Sequence, residues 1–285
     1  MSATEKNWDW EIKKNGNPWP WNSAQLISYR HLLANLVKRE FLLNYRQTIL
    51  GPLWILFQPL LTLIVYVLVF GKIIGVPTEV DLPPVLFYLS GIVLWNFFND
   101  SFLGTVNTFR DNIHVFSKVY FPRIIMPIST TVTHVLRLLI QLMLLIAMII
   151  YYVLFRNFNL SFQPWMIAFP FAILFVGMIS LGLGLIFSVL TAKYRDIANF
   201  VNVGIRLLMF VTPVIYPMSA VHKNFRWLVN LNPLTSFFEI FRKSLLGAGN
   251  ISVDQIVYGV IFAFLILILG LYLFNRLGNQ LIDVV

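Results

Sequence analysis

The sequence has 285 residues, of which 58% are hydrophobic and 12% are charged, and it carries a net charge of +9. This apolar content exceeds the roughly 45–50% of soluble domains, so several membrane spans fit in the chain and no second soluble domain does. The absence of cysteine excludes disulfides, thiolate metal sites and a cysteine nucleophile.

The first 24 residues, MSATEKNWDWEIKKNGNPWPWNSA, are polar but contain four tryptophans. Tryptophan favours the headgroup region of a bilayer, so this tail either lies on the inner membrane surface or is disordered. The tail lacks the apolar core of a signal peptide, and we therefore expect an internal span to direct insertion. Residues 25–45 follow with most of their apolar side chains on one helical side, which predicts an amphipathic helix at the inner interface.

Six apolar segments approach the roughly 20 residues that are needed to cross a hydrocarbon core. They lie near 53–70, 85–103, 125–155, 166–190, 200–217 and 256–275. With both termini in the cytoplasm, most Lys and Arg residues fall on the inner side, as the positive-inside rule requires. The basic balance therefore indicates a multi-pass membrane protein and no nucleic-acid partner.

The third segment carries polar residues at every third or fourth position of its inner half, namely Thr130, His134, Arg137 and Gln141. This spacing puts the four side chains on one helical stripe. Two interpretations stay open at this point. Either the helix protrudes into the cytoplasm with its polar side in water, or the stripe lines a polar cavity.

Residues 217–253 are too apolar for an ordinary loop and too short for two further membrane crossings. Irregular backbone at membrane depth survives only where it is buried in protein or lines water. We therefore predict two brief re-entrant helices between spans five and six, with Asn232-Pro233 as the hinge between them.

Aromatic and polar residues share one side of spans one and five. In span one they lie four residues apart, which keeps them on one helical face: Trp54, Gln58, Thr62, Tyr66 and Phe70. Span five has a similar series of Asn199, Asn202, Arg206, Phe210, Pro213 and Tyr216. Rings stack on sugars and amides bond to hydroxyls, so both faces suit a sliding sugar chain. The alternative is ordinary packing, because aromatic residues make up 16% of the chain.

Several activities are disfavoured by the distribution of reactive residues. None of the twelve acidic residues lies at the centre of a span, and an ion-coupled carrier generally needs an intramembrane carboxylate. The four histidines are dispersed and form no metal-binding motif. The sequence has no GxxxxGKS or GxxxxGKT phosphate loop, so any ATP would have to be bound by another subunit.

Two inner loops have the mixed charge of segments that dock on a motor subunit. They are TFRDNIHVFSKVYFPR (108–123) and AKYRDIAN (192–199). Plain solvated connectors would have the same composition, so that alternative stays open. The residues that would contact the motor are Phe109, Arg110, Asp111, His114, Arg195 and Asp196.

Four segments resemble the membrane subunit of bacterial ABC-2-type polysaccharide exporters, which move lipid-linked O antigen, capsule or teichoic acid. They are YRQTILGPLWILFQPL (45–60), YRDI (194–197), TPVIYP (212–217) and LNPLTSFFEIFRKSLLG (231–247). The resemblance extends over about positions 25–280. It implies an all-α integral membrane protein of the bacterial inner membrane, with six transmembrane helices and both termini in the cytoplasm.

The resemblance also implies a domain and partner arrangement. Residues 1–50 would form the cytoplasmic tail and the gate helix, and residues 51–285 the transmembrane domain. Within that domain, 108–118 would be the coupling helix and 234–247 would belong to the re-entrant helices. A homodimer with a channel lined by spans one and five would stand on two separate ATPase subunits that hold ATP and Mg. The chain itself would bind no cofactor and perform no catalysis.

Two cations are candidates for contact with the pyrophosphate of a lipid-linked substrate. Arg46 marks the inner start of span one, where Pro52 fits a first helical turn and Pro59 is expected to bend the helix and turn Gln58 towards a cavity. Arg206 lies about six residues inside span five, and snorkelling to the interface is the alternative for its side chain.

These observations together predict the permease subunit of an ATP-driven exporter of lipid-linked polysaccharide, with O antigen as the first candidate. One alternative is an ABC-2 permease for teichoic acid, capsule, a drug or a simple lipid. An alternative of another class is an integral-membrane transferase that acts on lipid-linked sugars.

Overall fold

The computed structural model describes residues 28–78, 82–116, 121–158, 164–249 and 252–282. These residues are mostly helical and contain no strand, which confirms the all-α fold class. The tryptophan-rich tail, residues 1–24, lies outside the described residues, so both interpretations of it stay open.

Ten α-helices follow one another in the described part of the chain. In order they are α1 (Arg30–Tyr45), α2 (Trp54–Tyr66), α3 (Pro84–Val106), α4 (Thr108–Phe116), α5 (Ile125–Arg156), α6 (Phe169–Lys193), α7 (Arg195–Val211), α8 (Arg226–Leu231), α9 (Leu234–Leu246) and α10 (Val253–Ile282). Short 3-10 helices lie at Gly51–Leu53, Pro164–Ala168, Met218–Ala220 and Lys223–Phe225, and a π-helix lies at Val67–Ile73.

The chain turns sharply between α1 and α2. Helix α1 ends at Tyr45, and Gln47 adopts a left-handed backbone with a φ of 65°. Pro52 then stands in the 3-10 turn that precedes α2, where its missing N–H is not needed and its fixed φ favours the helix. Helix α2 continues through Pro59 and joins the π-helix, so one helical segment runs over Gly51–Ile73.

Helix α3 is the centre of the fold. Its apolar residues are distributed around the whole helix, and most of them are buried, including Phe87, Ile92, Leu94 and Phe98. A helix that is apolar on all sides is stable only where neighbours surround it. Here α2, α5, α6 and α9 supply that surrounding.

Helices α6 and α10 approach each other through their backbones. A Cβ atom on Gly182 would lie 2.8 Å from backbone atoms of Ile266 and Leu267, and a Cβ atom on Gly270 would overlap the carbonyl oxygen of Gly182. Membrane helices approach this closely only where small residues face each other. The two glycines therefore set the distance between these helices.

Four helical segments are long and apolar enough to cross a membrane: Gly51–Ile73, Ile125–Arg156, Met166–Lys193 and Val253–Leu277. They coincide with predicted spans one, three, four and six. Predicted span two is α3, whose hydropathy is lowered by Asn96, Asn99 and Asp100. Predicted span five is α7, whose 17 residues reach about 26 Å at 1.5 Å per residue, short of a core of about 30 Å. The six-span topology therefore remains a proposal.

The predicted break at Asn232-Pro233 is confirmed, because α8 ends at Leu231 and α9 begins at Leu234. The side-chain oxygen of Asn232 accepts a hydrogen bond from the N–H of Leu234, the first residue of α9, at 3.0 Å. Its amide nitrogen donates to the hydroxyl of Thr212 at 2.8 Å, which ties the break to the end of α7. Two short helices are therefore present, and their position in the outer leaflet remains a proposal.

Candidate functional site

The predicted stripe on span one is open at its N-terminal end and covered at its other end. Trp54 is 42% exposed and Gln58 is exposed, whereas Thr62, Tyr66 and Phe70 are half-buried. The hydroxyl of Thr62 donates to the carbonyl of Gln58 at 3.1 Å, so the hydroxyl is already satisfied inside the helix. The freely available groups of the stripe are thus the indole and the amide of its first two residues.

Tyr66 connects span one to span five. Its hydroxyl donates a weak hydrogen bond to the sulfur of Met209 on α7 at 3.6 Å. Its ring also packs edge-on against Phe70 and Tyr88, with ring centroids 5.5 Å and 6.3 Å apart. The two stripes that the sequence singled out therefore belong to helices that touch within one chain.

Helix α7 contacts the rest of the chain along a narrow face that includes the buried Ile205. Asn202 and Arg206 are exposed, and Phe210 is 60% exposed. Tyr216 is half-buried, and its hydroxyl donates to the carbonyl of Phe210 at 2.8 Å. Most of the predicted span-five series therefore has no cover from the described residues, and a partner or a substrate can reach it from that side.

The two predicted phosphate contacts are open as well. Arg46 and Arg206 are both exposed, and neither forms an ion pair with a carboxylate in the described ranges. Arg46 follows α1 directly, and its backbone N–H donates to the carbonyl of Leu42 at 3.0 Å. Their contact with a phosphate stays a prediction.

A cluster of polar side chains joins α1, α3 and α5, and we call it the inner polar cluster. It consists of Glu40, Asp100, Thr130, Thr133 and Arg137. The carboxylate of Glu40 accepts hydrogen bonds from the hydroxyls of Thr130 at 3.3 Å and Thr133 at 3.4 Å. A guanidinium nitrogen of Arg137 lies 3.8 Å from a carboxylate oxygen of Asp100. The cluster thus fixes α1 to α5 and α5 to α3.

Two further contacts extend the inner polar cluster. The guanidinium of Arg137 lies 5.3 Å from the ring centroid of Tyr45 at the end of α1, a cation–π geometry. The amide of Asn99 donates to the other carboxylate oxygen of Asp100 at 3.0 Å. Arg137 therefore contacts both α3 and the end of α1.

Both sequence interpretations of the polar stripe on predicted span three are wrong. Thr130, His134 and Gln141 are each 8% exposed, and the side chain of Arg137 is 20% exposed. The stripe therefore neither protrudes into water nor lines a cavity. Helices α1 and α3 cover it, because the carboxylates of Glu40 and Asp100 match its hydroxyls and its cation.

The environment of Glu40 acts on its acidity in two directions. Burial raises the pKa of this carboxyl above its ordinary value, because water no longer stabilises the charged form. The hydrogen bond from Thr130, the charge of Arg137 and the hydrogen bond from Thr133 oppose this rise in pKa. The net direction is upward, so folding makes Glu40 easier to protonate.

Pro59 and Gln141 are coupled through the backbone of α2. In a helix the carbonyl of Ile55 would accept from the N–H four residues later, and that residue is Pro59, which has no N–H. The side-chain amide of Gln141 donates to the carbonyl of Ile55 instead, at 3.3 Å. The proline thus creates an unpaired acceptor in an apolar helix, and the neighbouring helix α5 satisfies it.

A buried ion pair lies where α9 packs on the core, and sequence reasoning missed it. On α9, a carboxylate oxygen of Glu239 lies 3.7 Å from a guanidinium nitrogen of Arg242, and both side chains are 1% exposed. Arg242 also donates to the carbonyl of Val214 at 2.8 Å, and its guanidinium lies 4.0 Å from the ring centroid of Phe87. The i, i+3 spacing of two opposite charges in an apolar helix was the available signal.

Gly91 makes room for this arrangement. A Cβ atom at position 91 would lie 2.6 Å from the carbonyl oxygen of Val214 and 2.9 Å from a guanidinium nitrogen of Arg242. A side chain at this point of α3 would therefore displace both the carbonyl and the cation. Arg242 thus holds the segment after α7 against α3, and it fits there because Gly91 has no side chain.

The two predicted coupling loops differ in what they expose. The ring of Phe109 is buried and stacks on Phe274 of α10, with ring centroids 5.0 Å apart. Arg110 and Asp111 are exposed and lie 3.4 Å apart. Asp196 is exposed in the first turn of α7, where a negative charge interacts favourably with the helix dipole. The side chains of His114 and Arg195 lie outside the part of the chain that the structure describes.

The carboxylates of Asp100 and Glu239, near the membrane segments, contact other side chains of the same chain. Asp100 contacts Asn99 and Arg137, and Glu239 contacts Arg242. Among the described residues, no three His, Asp or Glu side chains come together as a metal site would need. These carboxylates are therefore engaged in contacts within the protein.

Comparison with known proteins places these features in a family. The family model of the ABC-2 type transporter matches residues 31–246. An O-antigen export system permease protein RfbA of Klebsiella pneumoniae is 27% identical over 255 residues, which cover 89% of this chain and 94% of the relative. A protein of the same name from Myxococcus xanthus is 28% identical over 76% of this chain and 81% of its own length. The polysialic acid transport protein KpsM of Escherichia coli is 25% identical over 84% of this chain and 91% of its own length.

Proposed function

The chain belongs to the ABC-2 type transporter family, and we propose that it is the membrane permease subunit of an ATP-driven exporter of lipid-linked polysaccharide. The observation that carries this proposal is the match to relatives named as O-antigen export permeases over nearly the full length of both chains. Capsule is the second cargo class, because relatives named for polysialic acid transport match over a similar length. The first candidate for the cargo is therefore O antigen.

In this proposal the cargo passes along the open faces of spans one and five. Trp54 and Gln58 on one helix and Asn202 and Phe210 on the other are exposed, as a path for sugar requires. Aromatic rings offer stacking surfaces, and amides exchange hydrogen bonds with hydroxyl groups. Tyr66, Thr62, Phe70 and Tyr216 are half-buried and support these faces.

The proposed complex is a homodimer with two ATPase subunits. The uncovered faces of α2 and α7 would meet their counterparts on the second copy and enclose the channel. Exposed Arg110, Asp111 and Asp196 would contact the ATPase, which would hold ATP and Mg, whereas buried Phe109 would anchor α4 to the permease. His114 and Arg195 complete the predicted set of coupling residues.

The topology in the proposal has six spans in the bacterial inner membrane, with both termini in the cytoplasm. The gate helix corresponds to α1, and α8 and α9 form the re-entrant pair at the outer side. Arg46 and Arg206 would meet the pyrophosphate of the substrate near the inner interface, because both guanidinium groups are exposed. The chain would transmit motion that ATP hydrolysis drives elsewhere, and it would bind no cofactor of its own.

The lining of the path can be tested with matched alanine variants in a deletion strain. Trp54→Ala and Phe210→Ala remove exposed rings of the two faces, and Leu61→Ala and Leu207→Ala remove exposed side chains from the same helices as controls. Loss of about 1 kcal/mol of stacking lowers export about fivefold. Surface polysaccharide is the readout, with membrane levels of the permease measured in parallel.

The expected pattern is reduced export in the two ring variants and near-normal export in the two leucine variants. Equal export in all four variants would overturn the lining assignment, because the rings would then contribute no more than any exposed apolar side chain. Loss of export in all four would assign the effect to helix packing and would likewise overturn it.

A further inference from the structure

An apolar groove lies between α1 and α5. Its cavity volume is about 520 Å³, within the range of about 300–1,000 Å³ that ligand pockets show. Leu33, Val37 and Phe41 line it from α1, and Val132 and Leu136 line it from α5. Lys38 is the charged residue among the groups that border it. The groove is therefore apolar inside and cationic at its rim.

The carboxylate of α1 and two of its cations have different partners. Its one carboxylate, Glu40, faces the hydroxyls of Thr130 and Thr133 in the inner polar cluster. Arg30 and Lys38 lie eight residues apart, on the same helical row as the groove residue Ala34. Both cations are exposed, and no carboxylate in the described ranges lies within ion-pair distance of either. The groove side of α1 therefore presents positive charge without compensation.

We propose that this groove binds an anionic phospholipid of the surrounding bilayer, with an acyl chain between α1 and α5 and the headgroup phosphate on Lys38. The helix that carries Lys38 packs on a segment that is apolar and long enough to span a membrane, so the groove has direct access to lipid. A lysine side chain lies along apolar surface and carries its amine to the headgroup level. The attraction of Lys38 to an anionic lipid surface adds to the burial of the acyl chain.

The charge complementarity distinguishes this occupant from a zwitterionic lipid. Lys38 at the rim forms no ion pair with a carboxylate in the described ranges, so a net negative headgroup gains attraction that a neutral headgroup does not. The occupied groove would stabilise the packing of α1 on α5. This inference is independent of the cargo, because it uses the groove and its charges and none of the residues assigned to the path.

The headgroup part of the inference is tested by native mass spectrometry of the purified chain. The protein is equilibrated with equal amounts of phosphatidylglycerol and phosphatidylethanolamine, and the retained lipids are counted. The wild type should retain phosphatidylglycerol in preference, and Lys38→Gln should reduce that preference about fivefold, the factor that one cation at an anionic surface provides. Lys193→Gln is the control, because Lys193 is exposed on α6, away from the groove.

The acyl part is tested by filling the groove. Ala34 lines it and is exposed, so Ala34→Phe should block lipid retention without disturbing the core. Asn35→Phe adds the same ring to the neighbouring position of α1, which does not line the groove, and should retain lipid normally.

Three results would overturn the proposal. One is equal retention of the two phospholipids by the wild type. Another is an unchanged preference in Lys38→Gln relative to Lys193→Gln. The third comes from a photoreactive side chain placed at Leu42, also in the groove lining, if it cross-links to a polyprenyl lipid or to residues 1–24 of the chain and not to phospholipid.

Discussion

Pro59 removes a hydrogen-bond donor from the first membrane segment, and Gln141 supplies the replacement for the carbonyl of Ile55. An unpaired carbonyl in an apolar setting costs about 1–3 kcal/mol. We therefore expect Gln141→Leu to lower the melting temperature of the purified chain in detergent. In a Pro59→Ala background the helix regains its own N–H donor, so the same Gln141→Leu change should lower the melting temperature by clearly less. Equal losses in the two backgrounds would show that Gln141 does not act through this carbonyl.

Glu40 gives the chain a defined pH dependence. Folding raises the pKa of this carboxyl from its ordinary value of 4.5, so the native state binds a proton more readily than the unfolded state. The contribution of Glu40 to stability is then complete below pH 4.5 and is lost as the pH rises through its folded pKa. Glu40→Gln should match the wild type at low pH and have the higher melting temperature at neutral pH.

The control for this prediction is Asp111→Asn, which neutralises an exposed carboxylate on α4. The melting temperature of that variant should stay close to that of the wild type, because the exposed pair of Asp111 and Arg110 contributes little to stability. A Glu40→Gln protein that melts below the wild type at neutral pH would contradict the direction of the pKa shift, since the charged form would then stabilise the fold.

The ion pair of Glu239 and Arg242 is expected to be costly to break from one side. Removing one member of a buried pair destabilises a protein by about 3–5 kcal/mol, because the other charge stays buried, whereas replacing both members is often neutral. Arg242→Met should therefore lower the melting temperature more than the double variant Arg242→Met/Glu239→Gln. Arg226→Met, on the exposed side of the same outer segment, is the control. A double variant that is less stable than Arg242→Met would contradict this account.

At the scale of elements, the contact of α6 with α10 depends on two glycines. A methyl group at Gly270 would overlap the backbone of Gly182, whereas a Cβ atom at Gly204 on α7 meets nothing within 4 Å. Alanine is the better helix former by about 1 kcal/mol at an unhindered position. We therefore expect Gly270→Ala to lower the melting temperature and Gly204→Ala to raise it or leave it unchanged. A higher melting temperature in both variants would show that propensity, and not backbone contact, dominates both sites.

Much of the element layout could be predicted from the sequence, because periodicity and turn chemistry are local signals. The helix break at Asn232-Pro233, the helical turn at Pro52 and the face shared by Trp54 and Gln58 follow from residues near one another in the chain. The surroundings of the polar stripe could not be predicted in this way. Its partners, Glu40 and Asp100, lie far away in sequence. Periodicity predicts which side of the helix a side chain occupies, but it does not predict which residue of another helix lies next to it.

The candidate site shows the same division. The sequence indicated which residues of spans one and five share a face, and the structure adds that Tyr66 contacts Met209 between those spans. The buried pair of Glu239 and Arg242 could not be predicted in this way, although the two residues are close in sequence. The burial of Arg242 depends on Val214 and Phe87, which lie far away in sequence.

At the scale of the whole molecule, the features converge on a part of a larger machine. The described residues leave faces of α2 and α7 uncovered, and the inner polar cluster connects α1 to α5 and α3. The chain itself carries no phosphate loop in its sequence. In the proposed function the chain works in a complex with an ATPase, and motion would enter through the loops 108–123 and 192–199 and pass to the path.

The measurement that tests this account most directly is affinity purification of the full chain from its native membrane in mild detergent, with mass spectrometry of all retained components. The account predicts a second copy of the permease, a stoichiometric ATPase subunit with a phosphate loop, and a lipid-linked polysaccharide. Repeated recovery of the chain without any ATPase, under conditions that preserve other membrane complexes, would contradict the assignment as an ATP-driven exporter.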